Sequence, residues 1–437
     1  MDHAGRPAGR VTCLLDRPSA AEKMPRAPTR ERCMGIAGRI TAASIVLAVC
    51  VSALAEDWPR WRGPRGDGIS QESEWAKPWQ GALNRVWSAS VGVGYASPVA
   101  AGGRVYVLAQ KDEQEVLTCL DAASGKVLWA EGYQGGWTRS YPGSRSTPVV
   151  EGGRVYTYGG MGELVCRDAA TGKQLWRVDV PREMGTQPLQ WGIAATPLID
   201  GDQIYVQTGK GGPIAIAVHK QTGKGVWKSQ ATGLGGYAHP ILAQVGDVKH
   251  LVVFAGDTVY GMDTATGKTI WSEPWKTRYD VNATTPVYRD GHLFLTSNYG
   301  AGCMMLQLSP SGARRLWSSK AMMARFNPPV LDGNALYGNS EGTLVCLSWP
   351  DGKVLWQTDG ADKPALGMGG SLLRVGDALL LLSEKGRLTL VKATPEGWQK
   401  LSEAEVVKGG QVWAAPLLYD GRLYVKGESE LVCYTRD

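Results

Sequence analysis

The feature that most constrains this chain is a strand-turn-strand unit that returns eight times. It opens on a proline or small residue, passes through apolar residues, turns at glycine and runs on as an alternating strand. The first four copies read SPVAAGGRVYVLA from Ser97, TPVVEGGRVYTYG from Thr147, TPLIDGDQIYVQT from Thr196 and HPILAQVGDVKHLVVF from His239. The rest are TPVYRDGHLFLTS from Thr285, PPVLDGNALYGN from Pro328, SLLRVGDALLLL from Ser371 and APLLYDGRLYVKG from Ala415. Their starts lie 43 to 50 residues apart. That period holds four short strands and points to radial repetition.

A second motif interleaves with the first, an Asp-x-x-Thr-Gly-Lys-x-x-Trp hairpin. It spans Asp121 to Trp129 (DAASGKVLW), Asp168 to Trp176 (DAATGKQLW), His219 to Trp227 (HKQTGKGVW) and Asp263 to Trp271 (DTATGKTIW). Two looser copies run from Ser309 to Trp317 (SPSGARRLW) and from Ser348 to Trp356 (SWPDGKVLW). Alternation broken by a Gly-containing turn is the pattern of a β-hairpin. The motif also accounts for a composition with 57 Gly and 17 Trp but only 3 Phe.

Four strands in each of eight units predict an all-β fold, an eight-bladed β-propeller over residues 87–437. The last unit supplies only three strands before the chain stops, while Arg85-Val86-Trp87 is a strand without a unit. We expect that N-terminal strand to close the ring inside the last blade, removing the exposed edges that favour aggregation. Trp87, Trp129, Trp176, Trp227, Trp271, Trp317 and Trp356 are then docking residues, each burying a ring against the neighbouring blade. In the seventh unit the hairpin turn is replaced by Thr394-Pro395-Glu396-Gly397-Trp398.

Residues 1–55 read as a leader. Arg39, the apolar run from Ile40 to Leu54 and the small-x-small site Ala53-Leu54-Ala55 predict a secretory signal peptide over residues 34–55. The run is too short for a membrane span, and Val49 before Cys50 fits a lipid-anchoring site poorly. The expected location is the periplasm or cell envelope, with no transmembrane span in the mature chain. Without the leader the charged residues fall from 47 Lys and Arg against 41 Asp and Glu to 39 against 37. No basic footprint for nucleic acid remains, and a monomer is expected.

Residues 56–86 form an irregular clasp. It opens EDWPRWRGPRGDGIS, from Glu56 to Ser70, whose prolines and glycines forbid a helix and which lacks strand alternation. We expect it to lie across the propeller rim, with Trp58 and Trp61 buried between blades and Arg62 or Asp67 paired locally.

Together the Trp-terminated repeats at 119–129 and 166–176 make the chain resemble the quinoprotein-like, or PQQ-like, propellers. That resemblance covers about residues 87–437. It implies one of two functions: the pyrroloquinoline quinone (PQQ) dehydrogenases, or the propeller lipoprotein of the outer-membrane β-barrel assembly machine. In the dehydrogenases the quinone lies between a tryptophan floor and a disulfide of adjacent cysteines, beside a Ca²⁺. No two cysteines are adjacent here, and no CxxCH haem site occurs. Cys119, Cys166, Cys346 and Cys433 instead repeat one strand position, as small buried residues would.

The loops leading into the innermost strands surround one mouth of such a ring. They carry Tyr95, Tyr141 with Arg145, Trp191, Tyr237 with His239, Arg278 with Asn282, Arg325 and Trp413. Aromatic faces and guanidinium planes suit a planar or anionic ligand, or a segment of a protein partner. His239 lacks a partner at metal-ligand spacing and reads as a packing residue. Asp280 and Asn282 offer two oxygens where Ca²⁺ needs 6 to 8. No catalytic triad, phosphate loop or carboxylate pair can be singled out. The reading is an exported, non-catalytic propeller that binds an envelope protein or a small planar anion at its axial funnel, with no cofactor. A PQQ-dependent oxidoreductase using PQQ with Ca²⁺ is the alternative.

Overall fold

The computed structural model describes residues 56–436. The predicted signal peptide lies outside them. Eight antiparallel four-stranded sheets follow one another along the chain and make an all-β propeller. Blade 1 runs from the strand Val99–Ala101 to Val127–Gln134, and blade 7 from Ser371–Val375 to Gly397–Glu405. Blade 3 carries an extra hairpin that pairs Lys210–Pro213 with Thr232–Leu234.

The ring closes as the strand count requires. Asn84–Ser90 pairs antiparallel with Glu430–Thr435 and becomes the outer strand of blade 8. Its Trp87 faces Cys433 across the ladder, as Trp129 faces Cys119, Trp176 faces Cys166 and Trp356 faces Cys346. All five cysteines of the described residues are buried and free. Burial pushes the Cys119 thiol up to about 11 and leaves it unreactive.

Each docking tryptophan reaches across to the next blade. The indole N–H of Trp87 donates to Ala122 O at 3.1 Å, that of Trp129 to Ala169 O at 3.3 Å and that of Trp176 to Lys220 O at 3.0 Å. Trp227, Trp317 and Trp356 do the same to Thr264, Pro350 and Thr394. The glycine of the Thr-Gly-Lys turn takes a positive φ, +70° at Gly125 and +77° at Gly172, which suits a residue without Cβ. It also leaves room for the incoming ring. A Cβ on Gly125 would stand 2.5 Å from Trp87, and one on Gly172 would stand 2.7 Å from Trp129.

Trp271 departs from this rule. Its N–H donates to His250 Nδ1 at 3.0 Å, and His250 Nε2 lies 3.3 Å from Pro310 O in the turn of blade 5. The two bonds fix the imidazole with its hydrogen on Nε2. His250 meets Trp271 as Tyr106, Tyr156 and Tyr205 meet their own docking tryptophans. It comes, however, from two residues earlier in the strand: it pairs with Asp263, as Arg104 pairs with Asp121, and Val252 fills the tyrosine slot. Blade 5 turns at Ser309-Pro310 and lacks the Thr-Gly-Lys seat, so a relay spans the gap.

The clasp crosses the axis of the ring rather than lying along its rim. Trp58 exchanges two backbone hydrogen bonds of 2.9 Å with Ala100 of blade 1, and Pro59 O accepts from Val150 N of blade 2. Trp61 Nε1 reaches Thr285 Oγ1 of blade 5 at 3.1 Å, while Arg62 Nη2 donates to Pro329 O of blade 6 at 2.9 Å. Ile69–Ser70 then adds a fifth, parallel strand to the inner strand of blade 7. These partners all belong to innermost strands or their entrances. The segment therefore spans the central channel from blade 1 to blade 7. Trp58 is buried against Ala100, whereas Trp61 stands over the axis and not between blades.

Candidate functional site: an aromatic and arginine-lined axial funnel

Buried polar side chains pin the lead-in loops before any ligand arrives. Gln207 of blade 3 donates from Nε2 to Ala238 O at 2.6 Å and accepts from Gly236 N at 2.7 Å, fixing the entrance to blade 4. Asn339 holds Gly367 and Gly370 before blade 7. At the closing seam Lys426, 1% exposed, sets its ammonium within 3.1 Å of four carbonyls, those of Gly92, Gly94, Gly427 and Glu428. Glu115 accepts from Ser144 Oγ and from Gly160 N, and burial raises its carboxyl above the usual range. A mouth held this way is preorganised.

The funnel above the clasp encloses about 520 Å³, within the range of small-ligand sites. Eight of the residues singled out in the sequence line it: Tyr95, Tyr141, Arg145, Trp191, Tyr237, His239, Arg325 and Trp413. Trp61 forms its floor, and Tyr279, Tyr299 and Phe326 complete the aromatic wall.

Arg278 and Asn282 do not join the lining. Arg278 stacks on Tyr279 at 4.9 Å. Asn282 is fully buried, with Nδ2 donating to Ala255 O and Gly256 O at 2.9 Å and Oδ1 accepting from Ser297 Oγ at 2.8 Å. Its amide is another pin of the kind Gln207 makes.

Rings from distant blades meet over the axis. Trp413 of blade 8 packs against Tyr95 at 4.6 Å, Phe326 at 5.0 Å and Tyr141 at 5.2 Å, and Tyr141 in turn meets Trp191 at 6.2 Å. Tyr141 sits at φ 54°, a left-handed backbone that turns its loop over the mouth. Burial is the main cause that raises the Tyr237 hydroxyl to about 12, so it is neutral in use.

Two guanidiniums face this wall with no carboxylate in contact. Arg145 donates only to the carbonyls of Ser140, Tyr141 and Gly143, and lies 5.8 Å from the rings of both Tyr95 and Trp137. Desolvation lowers it to about 10, which leaves it charged at neutral pH. Arg325 stacks on Phe326 at 4.8 Å, and its Nε has no protein acceptor. The indole N–H groups of Trp191 and Trp413 are likewise buried without an acceptor.

His239 is placed as a packing group. Its Nδ1 accepts from Thr196 N at 3.0 Å and its ring meets Trp61 edge-on at 5.9 Å. Burial, and then the nearby Arg62 charge, push its pKa down to about 3. The imidazole is neutral and holds a strand entrance.

Fold and mouth together define a PQQ-like β-propeller with an aromatic and arginine-lined axial funnel. A family model described as outer membrane protein assembly factor BamB matches residues 112–358, more than half of the chain. The chain belongs to that family. Among curated relatives, BamB of Burkholderia pseudomallei is 26% identical over 63% of this chain and 69% of its own length. BamB of Salmonella typhimurium is 25% identical, covering 62% and 80%. The quinohemoprotein alcohol dehydrogenase ADH IIB of Pseudomonas putida is 31% identical over 30% of this chain, but that match is 20% of the dehydrogenase. Among solved structures, BamB from Moraxella catarrhalis superposes with TM-score 0.57 at 18% identity, over 81% of this chain and 98% of that one. The quinohemoprotein alcohol dehydrogenase from Comamonas testosteroni gives 0.60 at 14%, over 87% and 80%. These likenesses show the fold, and they leave scaffold and oxidoreductase both in the neighbourhood.

The dehydrogenase neighbours imply PQQ with Ca²⁺, and the donors in the funnel can be tested against that pair. The lining contains no carboxylate. Its side-chain oxygens are hydroxyls and the amides of Gln190 and Asn327. Ca²⁺ draws 6–8 oxygens, usually several from carboxylates. The donor set does not fit the metal, though the aromatic walls suit a planar ring. Among the described residues no helix is long and apolar enough to cross a membrane.

Proposed function

We propose that this protein is a non-catalytic binding propeller whose funnel receives a planar group carrying a carboxylate. That group belongs either to a small ligand or to a segment of an envelope partner. One observation carries the reading: the guanidiniums of Arg145 and Arg325 stand among aromatic rings with no carboxylate in contact, beside two indole N–H groups without acceptors. Ring faces and unpaired guanidiniums together recognise a flat anion. The family membership supports a scaffold role, since BamB relatives are named for outer-membrane protein assembly. The expected location is the cell envelope.

The test titrates planar aromatic carboxylates against the intrinsic fluorescence of the protein, with Trp61, Trp191 and Trp413 as reporters. A parallel pull-down from envelope extract compares wild type with Arg145→Ala and Trp413→Ala. Saturable quenching, or a partner retained by wild type and lost from both variants, supports the reading. If neither occurs, the funnel is not a binding site. The oxidoreductase alternative requires stoichiometric binding of PQQ with Ca²⁺ and dye-coupled alcohol or sugar oxidation. The carboxylate-free lining argues against it.

A further inference from the structure

Trp61 is the floor of the funnel and also the roof of a second chamber. Further along the same inner strands, a cavity of about 460 Å³ lies between the clasp and blades 3 to 6. The clasp brings Arg60, Arg62 and Arg65 to its wall. Arg65 is committed to Glu56 and Asp67. The other two are not.

Arg62 is 8% exposed, and only its Nη2 finds acceptors, Asp67 O at 2.7 Å and Pro329 O at 2.9 Å. Its Nε and Nη1 are buried with no protein acceptor, and so is Arg60 Nε. Asp67 is the one carboxylate in this wall, and it is occupied by Arg65 and by the backbone N–H of Ile69. Buried charged donors without acceptors are costly, and folded proteins retain them where something pairs with them.

We propose that this lower chamber is a second binding site, for a small oxyanion held by the guanidiniums of Arg60 and Arg62. The planar fork of arginine matches the paired oxygens of phosphate, sulfate or carboxylate. Desolvation lowers Arg62 to about 10, partly offset by Asp67, so its guanidinium stays charged at neutral pH and calls for a counter-ion. The clasp then has a dual role. It closes the channel, and it turns the axis into two separate basic sites above and below Trp61. The proposal does not depend on the funnel reading, because Arg145 and Arg325 lie on the other side of the indole.

Thermal unfolding of the full mature chain tests this at constant ionic strength, with chloride exchanged for phosphate, sulfate, acetate or succinate. A saturable rise in Tm of roughly 2–4 °C is expected at oxyanion well above Kd. A rise with phosphate or sulfate alone identifies an inorganic ion, and one with succinate or acetate alone identifies a carboxylate head. Arg60→Gln removes the rise, whereas Arg145→Gln and Arg325→Gln retain it. Among the described residues the Arg60 side chain makes no ion pair or hydrogen bond, so Arg60→Gln removes no protein contact of that kind, whereas Arg62→Gln removes two. No rise, a rise that does not saturate, or an equal rise in Arg60→Gln overturns the proposal. The last two are the signature of general salt exclusion.

Discussion

The indole of Trp129 in blade 1 rests on Gly172 in blade 2, and the same turn presents Ala169 O to its N–H. One glycine therefore serves two needs, a left-handed backbone and an open face. The pairing repeats at Trp87 with Gly125 and at Trp176 with Gly223.

Substitution separates the two needs. Gly172→Ala meets both the φ penalty and the ring at 2.7 Å, while Gly201→Ala, at φ +55° with nothing within 4 Å, meets the first alone. We expect Gly201→Ala to cost about 1 kcal/mol and Gly172→Ala about 2–4 kcal/mol in urea unfolding. Equal losses would show that the seat is not a packing requirement.

His239 sets a pH dependence. In the folded protein its pKa is lowered to about 3, against 6.5 in the unfolded chain. The unfolded state therefore binds the extra proton. Stability is fully present above pH 6.5 and falls as pH drops toward 3, with a slope approaching about 1.4 kcal/mol per unit. His239→Gln keeps an acceptor for Thr196 N but cannot titrate, so its unfolding midpoint should vary less with pH between 6.5 and 4. Identical pH profiles in the two proteins would count against a buried, neutral imidazole.

Lys426 closes the seam between the last blade and the first. Burial pulls its pKa down to about 7, against the raising influence of Glu428 and Glu430. Lys426→Met fills the space but leaves the carbonyls of Gly92 and Gly94 without their donor. A loss of about 2–4 kcal/mol is expected. Increased hydrogen exchange should be confined to the 91–95 loop and the strand Glu430–Thr435. A change spread evenly over all blades would refute the local role.

Repetition explains why the fold could be read in the sequence. Every blade repeats the same alternation and the same Gly and Trp punctuation, so strand number, ring closure and docking residues follow from counting. The funnel was legible in part, because Tyr95, Arg145 and Trp413 sit at equivalent entrances. Asn282 sits at such an entrance as well, but sequence does not say whether an amide faces the axis or turns back onto Ala255 and Gly256. Trp61 was missed as the floor because the clasp has no period. Its position depends on acceptors that lie between residues 100 and 375, far away in the chain. His250 gave little signal, because it falls two residues before the tyrosine slot, which Val252 fills, and only the blade-5 turn without Thr-Gly-Lys marked the place where a substitute contact was needed.

The clasp and the closing strand also dictate an order of assembly. Residues 58–70 leave the ribosome before any strand they pair with, and their last partner, Arg374-Val375, belongs to the seventh blade. Asn84–Ser90 waits longer still, for Glu430–Thr435. Closing loops of that size is entropically expensive and slow. Until Glu430–Thr435 emerges, the nascent chain carries Asn84–Ser90 unpaired and an unclosed ring. Loss of the strand Glu430–Thr435 would leave it in that state.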